Sequence, residues 1–90
     1  MITVQDAVLS ATRSAEEFYL GNKLRDIMLE EVEMSEDGRN WLITLGFYVQ
    51  DIAAPSLAGL LQGNQIQRKY KVFTVRGDNG EVISMKIRNP

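Results

Sequence analysis

The densest set of titratable groups in the chain is Glu30, Glu31, Glu33, Glu36 and Asp37. Paired carboxylates are the raw material of acid/base catalysis. Alternation along a strand, however, places Glu31 and Glu33 on a solvent face and Glu36-Asp37 in a turn, where charges keep sheet edges soluble. The chain has no histidine and no cysteine. The commonest general base, the commonest zinc ligand and thiol chemistry are therefore missing together, and there is no disulfide framework. Ser10, Ser14, Ser35, Ser56 and Ser84 have no imidazole to activate them, and no Ser-Lys spacing signature occurs. A metal site would have to be all-oxygen, and no calcium-loop spacing of Asp, Asn and Gly occurs. Gly77-Asp78-Asn79-Gly80 sits between two strands, whereas a phosphate cradle needs a helix N-terminus after its glycines. These residues predict a protein that is not an enzyme and carries no cofactor and no metal.

The frame that positions them is small. Ninety residues make one domain, residues 1–90, with a modest core. Hydrophobic residues at 44% and charged residues at 24% are ordinary for a globular chain and exclude wholesale disorder. The net charge of −2 hides an asymmetry. Residues 1–50 carry nine acids and four bases, and residues 51–90 carry three acids and six bases. The acidic total argues against nucleic acid as a partner. The N-terminus lacks the basic start of a signal peptide, and no apolar run reaches transmembrane length, so the expectation is a cytoplasmic protein without a membrane partner.

Two stretches rich in β-branched and aromatic residues, 69–76 and 81–88, flank Asp78-Asn79-Gly80. This is a strong hairpin signal, because Asn and Gly tolerate left-handed backbone. A three-residue loop with Gly80 left-handed puts Phe73 and Val75 with Ile83, Met85 and Ile87 on one face. Residues 27–35 and 41–49 read as two further strands around an Asp37-Gly38 turn. That turn pairs Met34 with Trp41 and Val32 with Ile43, and it sends Glu30 inward unless a bulge near Glu30-Glu31 relieves it. Residues 3–20 read as a helix with a Thr3/Asp6 capping box and an apolar stripe of Val4, Val8, Ala11, Ala15 and Phe18. The stripe should pack on Trp41, Ile43, Leu45, Phe73, Val75 and Ile83. The fold class is therefore α+β: one N-terminal helix packed on a four-stranded antiparallel meander sheet, a two-layer sandwich.

Residues 50–67 interrupt this plan as a long connector or short helix. Connectors of that length are uncommon in compact domains and are often functional. Ile52, Leu57, Leu60, Leu61 and Ile66 are too apolar for a solvated loop. By the expected registers Tyr48, Tyr70, Val72, Leu29, Leu42 and Val82 lie on the sheet face away from the helix. A free face should be mainly polar, so either segment 51–67 or a partner should cover it. Tyrosines suit interfaces because they bury area and keep a polar tip.

The leading helix, the strand Trp41-Leu42-Ile43-Thr44-Leu45, the strand Tyr70-Lys71-Val72-Phe73-Thr74-Val75 and the turn Asp78-Asn79-Gly80-Glu81-Val82 together resemble PepSY-like domains. The resemblance spans residues 3–87 apart from 50–67. It implies a small accessory module, of a kind usually extracytoplasmic and associated with binding or inhibiting peptidases. The insertion at 50–67 and an N-terminal stretch without the basic start of a signal peptide depart from that pattern. A second likeness is to the gas vesicle protein O family, which also pairs a Trp-containing strand with a later Tyr-x-Val hairpin. The basic aromatic tail of that family is missing here.

The expectation is thus a non-enzymatic protein-interaction or accessory module. It would bind another protein, or itself as a homodimer, through the outer sheet face and segment 51–67. The interaction residues would be Tyr48, Ile52, Leu57, Leu60, Leu61, Ile66, Tyr70 and Val72. The alternative is a small-ligand-binding protein with 51–67 as a lid.

Overall fold

A computed structural model describes residues 1–19, 22–51 and 68–88. The expected interaction residues Ile52, Leu57, Leu60, Leu61 and Ile66 lie outside the described residues. The element order is helix α1 (Val4–Phe18) followed by strands β1 (Asn22–Met34), β2 (Asn40–Asp51), β3 (Arg68–Arg76) and β4 (Val82–Ile87). The strands form one antiparallel sheet in the order β1-β2-β3-β4, and α1 packs across one face of it. This is the α+β meander sandwich that the periodicities predict.

Helix α1 starts at the expected box. The Thr3 hydroxyl accepts from the Asp6 amide at 3.1 Å, and the Asp6 carboxylate accepts from the Thr3 amide at 3.4 Å. Two of the helix's unpaired amides are thereby satisfied. The buried stripe is Ala7, Ala11 and Ala15, rotated slightly from the expected one. Three methyl side chains at successive turns let the helix axis lie close to Ile43, Leu45, Phe47, Phe73 and Val75, which complete the buried core. Bulky side chains are displaced to the flanks of the contact. Val8 packs at the margin, and Phe18, expected in the stripe, is exposed. Tyr19, just past the helix, takes its place and meets the Phe47 ring edge-on at a centroid distance of 5.5 Å. Burial raises the Tyr19 phenol above its ordinary pKa.

The first hairpin keeps the expected register, with Met34 opposite Trp41 and Val32 opposite Ile43. Its loop is wider than a two-residue turn: the Ser35 amide donates to the Asn40 carbonyl, with Gly38 at φ +71° between them. Trp41 is half-buried rather than engulfed, and its indole N–H donates to the Ile2 carbonyl at 3.3 Å. Gly80 has φ +77°, as the left-handed turn position requires. The second hairpin sets Phe73 against Met85, as expected, and Lys71 against Ile87, then slips between Thr74 and Val75. The slip corrects one core assignment. Val82 pairs with Val75 and packs on the core, while Ile83 sits in the bulge and is half exposed. Val82 is therefore not on the outer face.

Candidate interaction surfaces

The outer face of the sheet is the surface that the sequence singles out. Across its middle, Tyr48 lies opposite Arg68, Gly46 opposite Tyr70, and Thr44 opposite Val72. The structure therefore brings Tyr48, Tyr70 and Val72 together on one face, each partly buried. It also supplies a cover that sequence reasoning missed. The Arg68 guanidinium lies over the Tyr48 ring at 5.0 Å and near the Tyr70 ring at 5.7 Å. It donates to Glu30 at 2.8 Å and to the Asp26 carbonyl at 3.3 Å. A delocalised planar cation is suited to this combination of aromatic faces and fixed oxygens. The hydrogen bond it donates to Glu30 holds Arg68 still more firmly in its charged form.

Two irregularities in β1 build that site. The register shifts between Arg25 and Met28 and again between Leu29 and Glu31. At the first, Asp26 adopts φ +53° and turns its carbonyl toward Arg68. Aspartate tolerates this left-handed backbone better than most residues. At the second, a bulge forms where the Glu30 conflict predicts one, and it carries Glu30 to the outer face. There the carboxylate lies directly over Gly46. A Cβ on Gly46 would come within 2.7 Å of the Glu30 Oε1 atom and 2.8 Å of the Arg68 Nη2 atom. The ion pair occupies the volume that a side chain at 46 would fill.

A second ion pair spans the sheet. Glu31 on β1 accepts two hydrogen bonds from Arg88, just past β4, at 3.0 and 2.8 Å. The strands carrying them are three intervals apart, on the order of 14 Å in a flat sheet. Twist and two long side chains close that gap across the outer face. Thr44 is 4% exposed although it points away from the helix. Glu33 is left beside Glu31; a side-chain hydrogen bond with Glu31, and then its charge, raise the Glu33 carboxyl above its ordinary value.

The acidic cluster is thus distributed among structural partners. Glu30 pairs with Arg68, and Glu31 with Arg88. Asp37 accepts from the Ser35 hydroxyl at 2.6 Å and from the Arg39 amide at 3.0 Å, which lower its pKa in that order. Among the described residues no group of three or more His, Cys, Asp or Glu side chains is placed to hold a metal ion. Nor is any described helix long and apolar enough to cross a membrane.

An exposed apolar strip lies elsewhere, on the helix side of β1. The bulge at Glu30 reverses the expected placement of Leu29, which now pairs with Leu45 and faces the helix side. Leu29, Val32 and Met34 share that side and remain 47, 36 and 37% exposed. The alanine stripe seats α1 mainly over β2 and β3, so the first strand extends beyond its cover. Alternation gave the apolar face but not the reach of the helix over it.

A different concavity opens at the hairpin turns. It is an open cleft of about 620 Å³ lined by Met1, Arg39, Arg76, Gly77 and Ile83 among others. Arg76 is already paired with Asp78 at 2.7 Å there. Comparisons of the chain with protein-family models, with curated proteins and with solved structures find no match.

Proposed function

We propose that this protein is a non-enzymatic interaction or accessory module, and that the surface it offers is the edge of the sheet along β1. The observation that carries this reading is the strip Leu29, Val32 and Met34, three large apolar side chains on one face of an edge strand that its own helix does not cover. Contiguous exposed apolar surface marks interaction sites more often than isolated exposed residues do. The assignment of the acidic residues to ion pairs and a turn supports a non-catalytic role. The PepSY-like resemblance points the same way, since it implies an accessory module. Relative to the sequence reading, the favoured surface moves from Tyr48 and Tyr70 to the β1 edge, because Arg68 already occupies the tyrosine faces. The ligand-binding alternative has weaker support. The cleft is formed at the turn end of β2 and β3, whereas segment 51–67 joins those strands at the opposite end.

The test is site-specific photo-crosslinking. A photoreactive residue at Met34 should give a discrete crosslinked species in cells of the source organism. The same residue at Leu9, exposed on the opposite side of α1, should give none. Equal yields from both positions, or none from Met34, would remove the β1 edge as the interaction surface.

A further inference from the structure

We propose that the partner of the β1 edge is the β4 edge of a second copy of this chain, added head to tail so that one sheet continues into the next. This inference rests on the reading of β1 as the interaction surface and names its occupant.

The topology allows it without rearrangement. A four-stranded meander has its two edge strands running in opposite directions. A copy placed beside the first by translation and twist therefore brings β4 against β1 antiparallel. Both helices stay on the same side. The edges also have matching regular segments. Bulges at Asp26-Ile27 and at Glu30 blunt most of β1, leaving residues 31–34 regular. The bulge at Ile83 leaves residues 84–87 regular on β4. Bulges are the usual protection of an edge, so the stretches without them are where another strand can pair.

The side chains then select the register. On β1, Glu31 and Glu33 point to the outer face and Val32 and Met34 to the helix side. On β4, Ser84 and Lys86 point outward and Met85 and Ile87 to the helix side. In one antiparallel register Glu31 lies opposite Arg88, Val32 opposite Ile87, Glu33 opposite Lys86 and Met34 opposite Met85. Two opposite-charge pairs form on one face and two apolar pairs on the other, which is the pattern that stabilises neighbouring strands. Shifting by two residues one way sets Glu33 against Ser84 and Met34 against the bulged Ile83, and shifting the other way carries Glu31 and Val32 past the end of β4. Isologous pairing of β1 with β1 sets Glu31 against Glu33, and β4 with β4 brings lysines together. Charge complementarity therefore favours the heterologous contact over either symmetric one. Ile87, 75% exposed in the monomer, would be covered by it. Arg88 would exchange its bidentate partner within the chain, Glu31, for Glu31 of the neighbouring copy. A heterologous contact of this kind closes into rings or grows as open assemblies.

The test is sedimentation of the full chain over a range of concentrations. The wild-type mass should rise from the monomer value of 10.2 kDa toward multiples of it. Glu33→Lys and Lys86→Glu should each remain at the monomer mass, with unchanged far-ultraviolet dichroism because both side chains are exposed on edges. An equimolar mixture of the two variants should associate again, since each then offers the charge that the other lacks. A wild-type mass constant at the monomer value would overturn the proposal. So would association that survives both substitutions, or a mixture no heavier than its components. Glu33→Lys binding wild type while Lys86→Glu behaves as wild type would assign the contact to a symmetric β1 pair and overturn it as well. A monomeric wild type that still crosslinks through Met34 to a different protein would refute self-assembly alone. Failure of the Met34 crosslink itself would refute the underlying reading.

Discussion

The two faces of this sheet are closed by opposite means. On the helix side, Ile43, Leu45, Phe47, Phe73 and Val75 are sealed by three alanine methyls. Removal of apolar area from water is the driving force there, and it requires no particular orientation. On the outer face, Gly46 lies under the charged ends of Glu30 and Arg68, and the Arg88–Glu31 pair spans the sheet. Those contacts depend on geometry, are screened by salt and contribute little individually. An outer face of mixed character thus does not by itself announce a partner; long charged side chains can shield it from the inside.

This comparison can be broken most directly from the helix side. Phe73→Ala should destabilise the fold by about 3–5 kcal/mol, read as a shift in denaturant midpoint, because the ring is completely buried. Ala11→Leu should also destabilise, by about 1–3 kcal/mol, since the close helix–sheet approach leaves no room for a longer side chain. Equal tolerance of alanine and leucine at 11 would show that the stripe does not set the spacing.

The outer face should respond less. Arg68→Ala should cost about 1 kcal/mol, from loss of the stacked cation and its hydrogen bonds. Gly46→Val should displace the Glu30–Arg68 pair without unfolding the sheet, because the clashing atoms are the ends of flexible side chains. Nuclear magnetic resonance signals of the Arg68 guanidinium would report the displacement. If Gly46→Val instead unfolds the domain, the outer face is packed as rigidly as the inner one.

The smallest effects should come from the sheet-spanning pair and the turn. A double-mutant cycle on Glu31 and Arg88 should give a coupling of about 0.2–1 kcal/mol that falls with added salt. A coupling insensitive to salt would mean that the pair is sealed from solvent. Asp37 has a folded pKa below its unfolded one, so its contribution is present above the unfolded value and is lost as the pH falls through the carboxylate range. The melting-temperature difference between wild type and Asp37→Asn should therefore shrink on acidification. Glu33 has the opposite sign. Its raised pKa favours the folded state at low pH, and that advantage disappears as the pH rises through the folded value.

Local chemistry determined a good deal of this protein. The capping box at Thr3 and Asp6, the first-hairpin register and the left-handed Gly80 each depend on residues close together in sequence, where propensity and turn geometry act directly. The period-two pattern of β2 likewise identified the core face from Ile43 to Phe47. The bulge near Glu30 was legible because it resolved a conflict between a charge and a buried face. The tertiary structure decided what depends on distant partners. The helix rotated toward Ala7 because close packing on the sheet outweighed the larger but bulkier stripe. The slip at Ile83 exchanged it for Val82, and the bulge at Glu30 moved Leu29 to the helix side; each one-residue displacement reverses every side chain until the next. Arg88 and Glu31 are 57 residues apart, and no local pattern foretells their pairing. Only the order and twist of four strands bring them across one face, and only the seat of α1 leaves the edge of β1 uncovered.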